Sequence, residues 1–154
     1  MAVAEPKLKI RSMMPVFQLM TADGETVNRW DYKGRKHMVL AFLPADCPVC
    51  TEFLHIVSNA YHQYEEENAV FLPAIVGSRE QAIDLRDELD PPYPILFDEH
   101  GKVAERYTDR LPALFVADKF GQLYAEWIVG RGGSMPMQKD ILDVLDAIEL
   151  ECPE

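Results

Sequence analysis

Apolar side chains along this chain fall into runs whose spacing changes from strand-like to helix-like and back. Val16 to Met20 and Thr26 to Trp30 flank the turn Ala22-Asp23-Gly24, the pattern of a short hairpin. His37 to Leu43 is apolar from Met38 onward without alternation, as expected of a strand covered on both faces of a sheet. Phe53, Val57, Ala60/Tyr61 and Tyr64 then recur at helical spacing, so a helix should begin near Pro48 and end in Glu65-Glu66-Glu67-Asn68. Val70 to Val76 reads as a second buried strand. Ser78 and Gln81 have capping-box spacing before a helix with Ala82, Leu85 and Leu89 on its inner stripe, and Pro91-Pro92 stops it.

Ile95 to Phe97 reads as a short strand and Gly101 to Tyr107 as a short helix. Ala113 to Ala117 and Leu123 to Val129 are strand-like and joined by too few residues for a crossover helix, so they should pair antiparallel. Ile141, Val144/Leu145 and Ile148 mark the inner face of a last helix, whose Asp140, Asp143, Asp146 and Glu149 form a solvated side. This order predicts an α/β fold, a mixed central sheet flanked by helices and preceded by an N-terminal hairpin. Residues 1–14 read as a loosely held arm, and 1–154 as one domain, because 154 residues suffice for one core.

Composition narrows the function. With 15 Lys+Arg against 26 Asp+Glu, a net charge of -11 repels phosphate backbones and anionic lipid, and no local basic patch offsets it, so neither nucleic acid nor membrane is an expected partner. No apolar stretch approaches the ~20 residues of a membrane span. The N-terminus becomes charged before a signal-peptide core can build, which predicts a cytoplasmic protein. Three cysteines make no disulfide framework, so the pair Cys47 and Cys50, spaced C-x-x-C, asks for a redox or metal reading.

Cys47-Pro48-Val49-Cys50 falls where a buried strand hands over to a helix. Unpaired N–H groups and the positive end of the helix dipole stabilise a thiolate there, and C-x-x-C cysteines reach pKa values of about 3.5 to 7.5 in such places. Spacing of three on a first helical turn brings the second sulfur within reach of the first, so a mixed disulfide can be resolved internally. Two other readings remain at this point. The cysteines could be small core hydrophobes, or half of a zinc site completed from Cys152, His37, His55, His62 or His100.

Phe42-Leu43-Pro44-Ala45-Asp46-Cys47-Pro48-Val49-Cys50 resembles the thioredoxin active-site segment, in which a phenylalanine precedes the first cysteine by five residues. Leu111-Pro112-Ala113-Leu114 resembles that family's Ile-Pro-Thr-Leu, whose cis proline faces the C-x-x-C. From Pro15 to Val129 the chain is more similar to the AhpC/TSA and redoxin branch of the thioredoxin-like superfamily, which includes peroxiredoxins and TlpA-like proteins. The likeness lies in Pro15-Val16-Phe17-Gln18-Leu19 with Asp23-Gly24-Glu25-Thr26-Val27, in the segment Phe97 to Tyr107, and in Phe115 to Gly121.

The resemblance implies a thioredoxin-like fold and an antioxidant-type thiol-disulfide oxidoreductase with Cys47 and Cys50 catalytic and no bound cofactor or metal. It further implies substrate contacts at Pro48, Leu111 and Pro112, a protein or small-molecule disulfide as substrate, and a cellular thiol as reductant. An apolar patch at Leu111 could also receive a second copy of the chain. The family's peroxidase branch offers an alternative, with Cys50 as peroxidatic and Cys47 as resolving thiol, and a binding module that keeps the fold without catalysis is a third.

The peroxidatic motif of that branch has a Thr or Ser where Cys47 stands, and its arginine aligns with Pro112; both departures favour dithiol chemistry. Ala41 occupies the place of thioredoxin's buried acid, Glu52 is one place off the TlpA-like acid, and Asp46 would oppose thiolate formation. Cys152, in a C-terminal tail, is expected to be dispensable.

Overall fold

The computed structural model describes residues 6–151. Seven strands form one mixed sheet in the order β2-β1-β5-β4-β3-β6-β7. In chain order these are β1 (Gln18–Thr21), β2 (Thr26–Asn28), β3 (His37–Pro44), β4 (Ala69–Val76), β5 (Leu96–Phe97), β6 (Ala113–Ala117) and β7 (Leu123–Ile128). The helices are α1 (Pro48–Glu66), α2 (Arg79–Leu89), the single turn α3 (Lys102–Glu105) and α4 (Gln138–Glu151). The architecture is the expected thioredoxin-like one, with the hairpin β1–β2 added at one edge through antiparallel pairing of β1 with β5.

β3 is central, parallel to β4 and antiparallel to β6. Its alternate side chains serve two cores, which is why its sequence lacks a polar face. Val39, Ala41 and Leu43 join Phe53, Leu54 and Val57 of α1, Ala82 of α2 and Ile141, Leu145 and Ile148 of α4. Met38, Leu40 and Phe42 join Met14, Phe17, Val103 and Tyr107 on the opposite face. Helices α1, α2 and α4 therefore cover β3 from one side while α3 and the N-terminal segment seal the other.

Several boundaries differ from expectation. The arm expected to be loose is tied down from Arg11 to Met14: the Arg11 N–H donates to the Leu123 carbonyl at 2.7 Å, and the Leu123 N–H to Ser12 at 2.9 Å. Met14 is buried in the second core, and that burial is what fixes the segment; residues 1–5 lie outside the described part. The second hairpin strand ends at Asn28, because Arg29–Tyr32 turns into a 3-10 helix whose entry is capped by Asp31, with Asp31 Oδ2 accepting from the Asn28 N–H at 2.9 Å. The helix expected over Gly101 to Tyr107 is only α3; buried Asp98 accepts the N–H groups of Val103 and Ala104 and starts it. No helix among the described residues is long and apolar enough to cross a membrane.

Candidate active site

Pro44 ends β3, and the chain turns through Ala45 and Asp46 into α1. Cys47 is the N-cap of α1 and Pro48 its first residue, where a missing N–H costs nothing. The Cys50 N–H donates to Cys47 Sγ at 3.3 Å, so the cysteine sulfur takes the place of a capping oxygen. No acidic residue stands in the first turn of α1 to cancel the positive end of its dipole. Cys47 and Cys50 are joined by a disulfide, their Cα atoms 5.2 Å apart.

The two sulfur-bearing residues differ in depth. Cys47 is half-buried, whereas Cys50 is 2% exposed and belongs to the core formed with Phe53, Leu54 and Leu43. A partner can reach Cys47 from solvent, and Cys50 only through Cys47 or after local movement.

The Leu111–Pro112 bond is cis. Leu111 and Pro112 line a groove of about 410 Å³ together with Pro44, Asp46, Cys47 and Pro48. Four of the five site residues read from the sequence, Cys47, Pro48, Leu111 and Pro112, therefore share one groove, and the fifth, Cys50, lies beneath its floor. Ala41 is fully buried on the α1 side of β3, so an alanine methyl fills the position of thioredoxin's buried acid. Glu52, His55 and His62 are exposed on α1, and His37 is fully buried at the far end of β3. Among the described residues no group of three or more His, Cys, Asp or Glu is placed to hold a metal ion. Cys152 lies outside them.

The opposite wall of the groove was not read from the sequence. Gly130, Arg131, Gly132 and Gly133 form it, in the loop after β7. Topology brings them there: β6 runs antiparallel to β3 and β7 antiparallel to β6, so β7 ends where β6 begins, beside the end of β3. The Pro112 carbonyl accepts from the Val129 N–H at 3.0 Å and the Gly130 N–H at 3.1 Å, which locks the loop to the cis proline. Arg131 thereby puts an exposed cation in the groove that holds Cys47. Three glycines among the four residues 130–133, just after the closing strand, were the available signal.

A thioredoxin-like sheet that presents a closed C-x-x-C at a helix N-terminus, opposite a cis proline, defines a redox-active thiol enzyme. Residues 10–126 match the model of the AhpC/TSA family, and the chain belongs to that family. It is 29% identical over 134 residues to "Peroxiredoxin Bcp" of Bacillus subtilis (strain 168), covering 78% of this chain and 85% of that one. Among solved structures, Peroxidoxin BcpB from Mycobacterium tuberculosis superposes with a TM-score of 0.80 at 21% identity, covering 92% of this chain and 98% of the other. A secreted Mycobacterium tuberculosis disulfide oxidoreductase homologous to E. coli DsbE gives a TM-score of 0.69 at 18% identity, over 85% and 95% of the two chains. At such identities the two structures report the fold they share.

Proposed function

We propose that this enzyme is a dithiol-disulfide oxidoreductase in which Cys47 attacks and Cys50 resolves. The observation that carries the assignment is the difference in depth between a half-buried Cys47 in an open groove and a Cys50 that is 2% exposed beneath it. In the reduced protein the Cys47 thiolate attacks one sulfur of a substrate disulfide, forms a mixed disulfide and expels the other sulfur as a thiolate, which takes a proton. The Cys50 thiol then loses its proton, attacks Cys47 Sγ and releases the second substrate sulfur. Two electrons have passed to the substrate, and the Cys47–Cys50 disulfide remains until a cellular thiol reductant reopens it.

The parts of the groove have matching tasks in this reading. The first turn of α1 stabilises the Cys47 thiolate through the Cys50 N–H and the helix dipole. Pro48, Leu111 and Pro112 form walls against which the substrate chain lies. The reading includes a reducing compartment such as the cytosol, in which a thiol donor is at hand.

A second reading is supported by the 29% identity to a curated peroxiredoxin. There the Cys50 thiolate takes an oxygen from a peroxide, becomes a sulfenic acid and releases water or alcohol; Cys47 then condenses with it, losing water, to the same disulfide. Depth argues against it, since peroxide would have to reach the less accessible sulfur. Reduced Cys47→Ser and Cys50→Ser proteins, each given a model disulfide and hydrogen peroxide, separate the two by mass spectrometry. The expected result is a mixed disulfide trapped on Cys47 in Cys50→Ser and no adduct in Cys47→Ser. Fast sulfenic acid on Cys50 in Cys47→Ser, with a wild type inert toward disulfides, would overturn the first reading.

A further inference from the structure

The groove at Cys47 does not end there. A second depression of about 290 Å³ runs between the first turns of α1 and the segment leading into α4, lined by Glu52, Phe53, Ile56, Met135 and Met137 among others. Val49 and Gly133 line both depressions, so the two adjoin and together form a trough with the reactive sulfur at one end. Its character changes along its length. The Cys47 end carries Asp46 and Arg131. The far end sets the apolar side chains of Phe53, Ile56, Met135 and Met137 beside the polar Ser134 and Gln138, and Glu52 is the one charged residue in its lining.

Phe53, 2% exposed, lies at its base, while Val49, Ile56 and Met137 stand 43%, 43% and 70% exposed around it. These are large apolar side chains left in water next to a reacting atom, and two methionines among the lining give a surface that can adapt to different shapes. Left in water they add nothing to folding by burial, and a ligand that covers them gains that burial. An oxidant close to the size of water needs only about 30 Å³ and would leave the trough unused. A small polar disulfide would meet the sulfur and leave the apolar end bare.

We propose that this trough is a subsite for the polypeptide flank of a protein disulfide. The apolar side chain beside the attacked cysteine seats against Phe53, Ile56 and Met137, and a Lys or Arg next to it faces Glu52. The proposal rests on the dithiol reading and adds the substrate class to it: a polypeptide with an apolar and a basic residue flanking its cysteine. It also assigns Ile56, Met137 and Glu52 as specificity-determining residues. Mixed-disulfide formation would hold the substrate sulfur on Cys47 while the neighbouring side chain enters the trough, so the selection acts on the attack step itself.

The test compares second-order rates of the reduced protein with three substrates. Two are short peptides joined through one cysteine to thionitrobenzoate, with Leu-Lys or Ser-Lys beside the cysteine; the third is bis(2-hydroxyethyl) disulfide, which has no flank. The Leu-Lys peptide is expected to react about tenfold faster than the Ser-Lys peptide, the discrimination a partly open apolar site can supply. That ratio is expected to fall below about twofold in Ile56→Ser and in Met137→Ser, two exposed positions whose replacement leaves the core intact. Equal rates for the two peptides in the wild type, or a ratio that survives both substitutions, would overturn the trough as a subsite. If bis(2-hydroxyethyl) disulfide still reacts in that case, the dithiol reading stands without it. Inertness toward all three substrates would overturn the dithiol reading and the subsite with it.

Discussion

The Cys50 N–H, two residues after the proline that starts α1, points at Cys47 Sγ from 3.3 Å, while Asp46 precedes the same sulfur-bearing residue in the chain. The helix end favours negative charge on Cys47 and the neighbouring carboxylate opposes it. Asp46 is exposed, so solvent screens it, and its effect is that of a surface charge.

Asp46→Asn should therefore make Cys47 more reactive. Alkylation of the reduced protein by iodoacetamide at pH 7 is expected to accelerate by about two- to fivefold, the range open to one exposed charge. Arg131→Gln, which removes the cation from the same groove, should slow it by a similar factor. The pH profile of alkylation checks both, and the two shifts must have opposite signs.

The layout of the candidate site was legible because each part carries a local rule. An uninterrupted apolar run, a proline in the first turn of a helix, a C-x-x-C and a Leu-Pro at a strand start each constrain their own neighbourhood, and they met as expected. The hairpin strand that was read through Trp30 failed for an equally local reason, the Asp31 cap that turns Arg29–Tyr32 into a 3-10 helix. Gly130 to Gly133 escaped because nothing in that segment says what lies opposite it. Only the antiparallel order β3, β6, β7 carries it back to Cys47. The role of His37 was hidden too, since its partners, at Lys119 and Glu149, are far away in sequence.

Gly133 is the tightest point of the groove wall. A Cβ there would sit 2.5 Å from the Val129 carbonyl oxygen and 2.8 Å from Val129 Cγ1. Val129 cannot retreat freely, because its own N–H is bound to Pro112. Gly133→Ala is expected to displace the loop, to lower unfolding free energy by about 1–3 kcal/mol as overpacking does, and to slow disulfide exchange. Urea denaturation and a single-turnover exchange assay measure the two effects; unchanged values in both would show that the wall yields.

His37 is fully buried, and its Nδ1 accepts the Lys119 N–H at 2.9 Å. That bond leaves the ring proton of the neutral imidazole on Nε2, which faces the Glu149 carboxylate at 3.5 Å without a hydrogen bond. The ring thus ties the start of β3 to the β6–β7 turn, at the end of the sheet remote from Cys47. His37→Leu takes this acceptor from the Lys119 amide and is expected to cost about 1–3 kcal/mol. Faster hydrogen exchange at Lys119, with unchanged iodoacetamide reactivity at Cys47, would distinguish this structural role from a catalytic one.

Glu126 stands in the middle of β7, opposite Phe115 of β6, and its Oε1 is buried without a hydrogen-bond partner. Burial pushes its carboxyl above the usual carboxylate range. A raised folded-state pKa means that the protonated form suits the fold better. The full stability is present below the unfolded pKa of about 4.3 and is lost as pH rises through the folded value. At pH 7 the charged side chain is therefore a burden, reduced because the residue is only partly buried and water reaches the rest of the carboxylate. Glu126→Gln should raise unfolding free energy at pH 7 by roughly 1 kcal/mol, the low end of what an unsatisfied buried group costs, and should give little gain near pH 4. Urea denaturation of both proteins at the two pH values reads the difference. A gain as large at pH 4 as at pH 7 would show that shape, and not charge, is what the substitution changes.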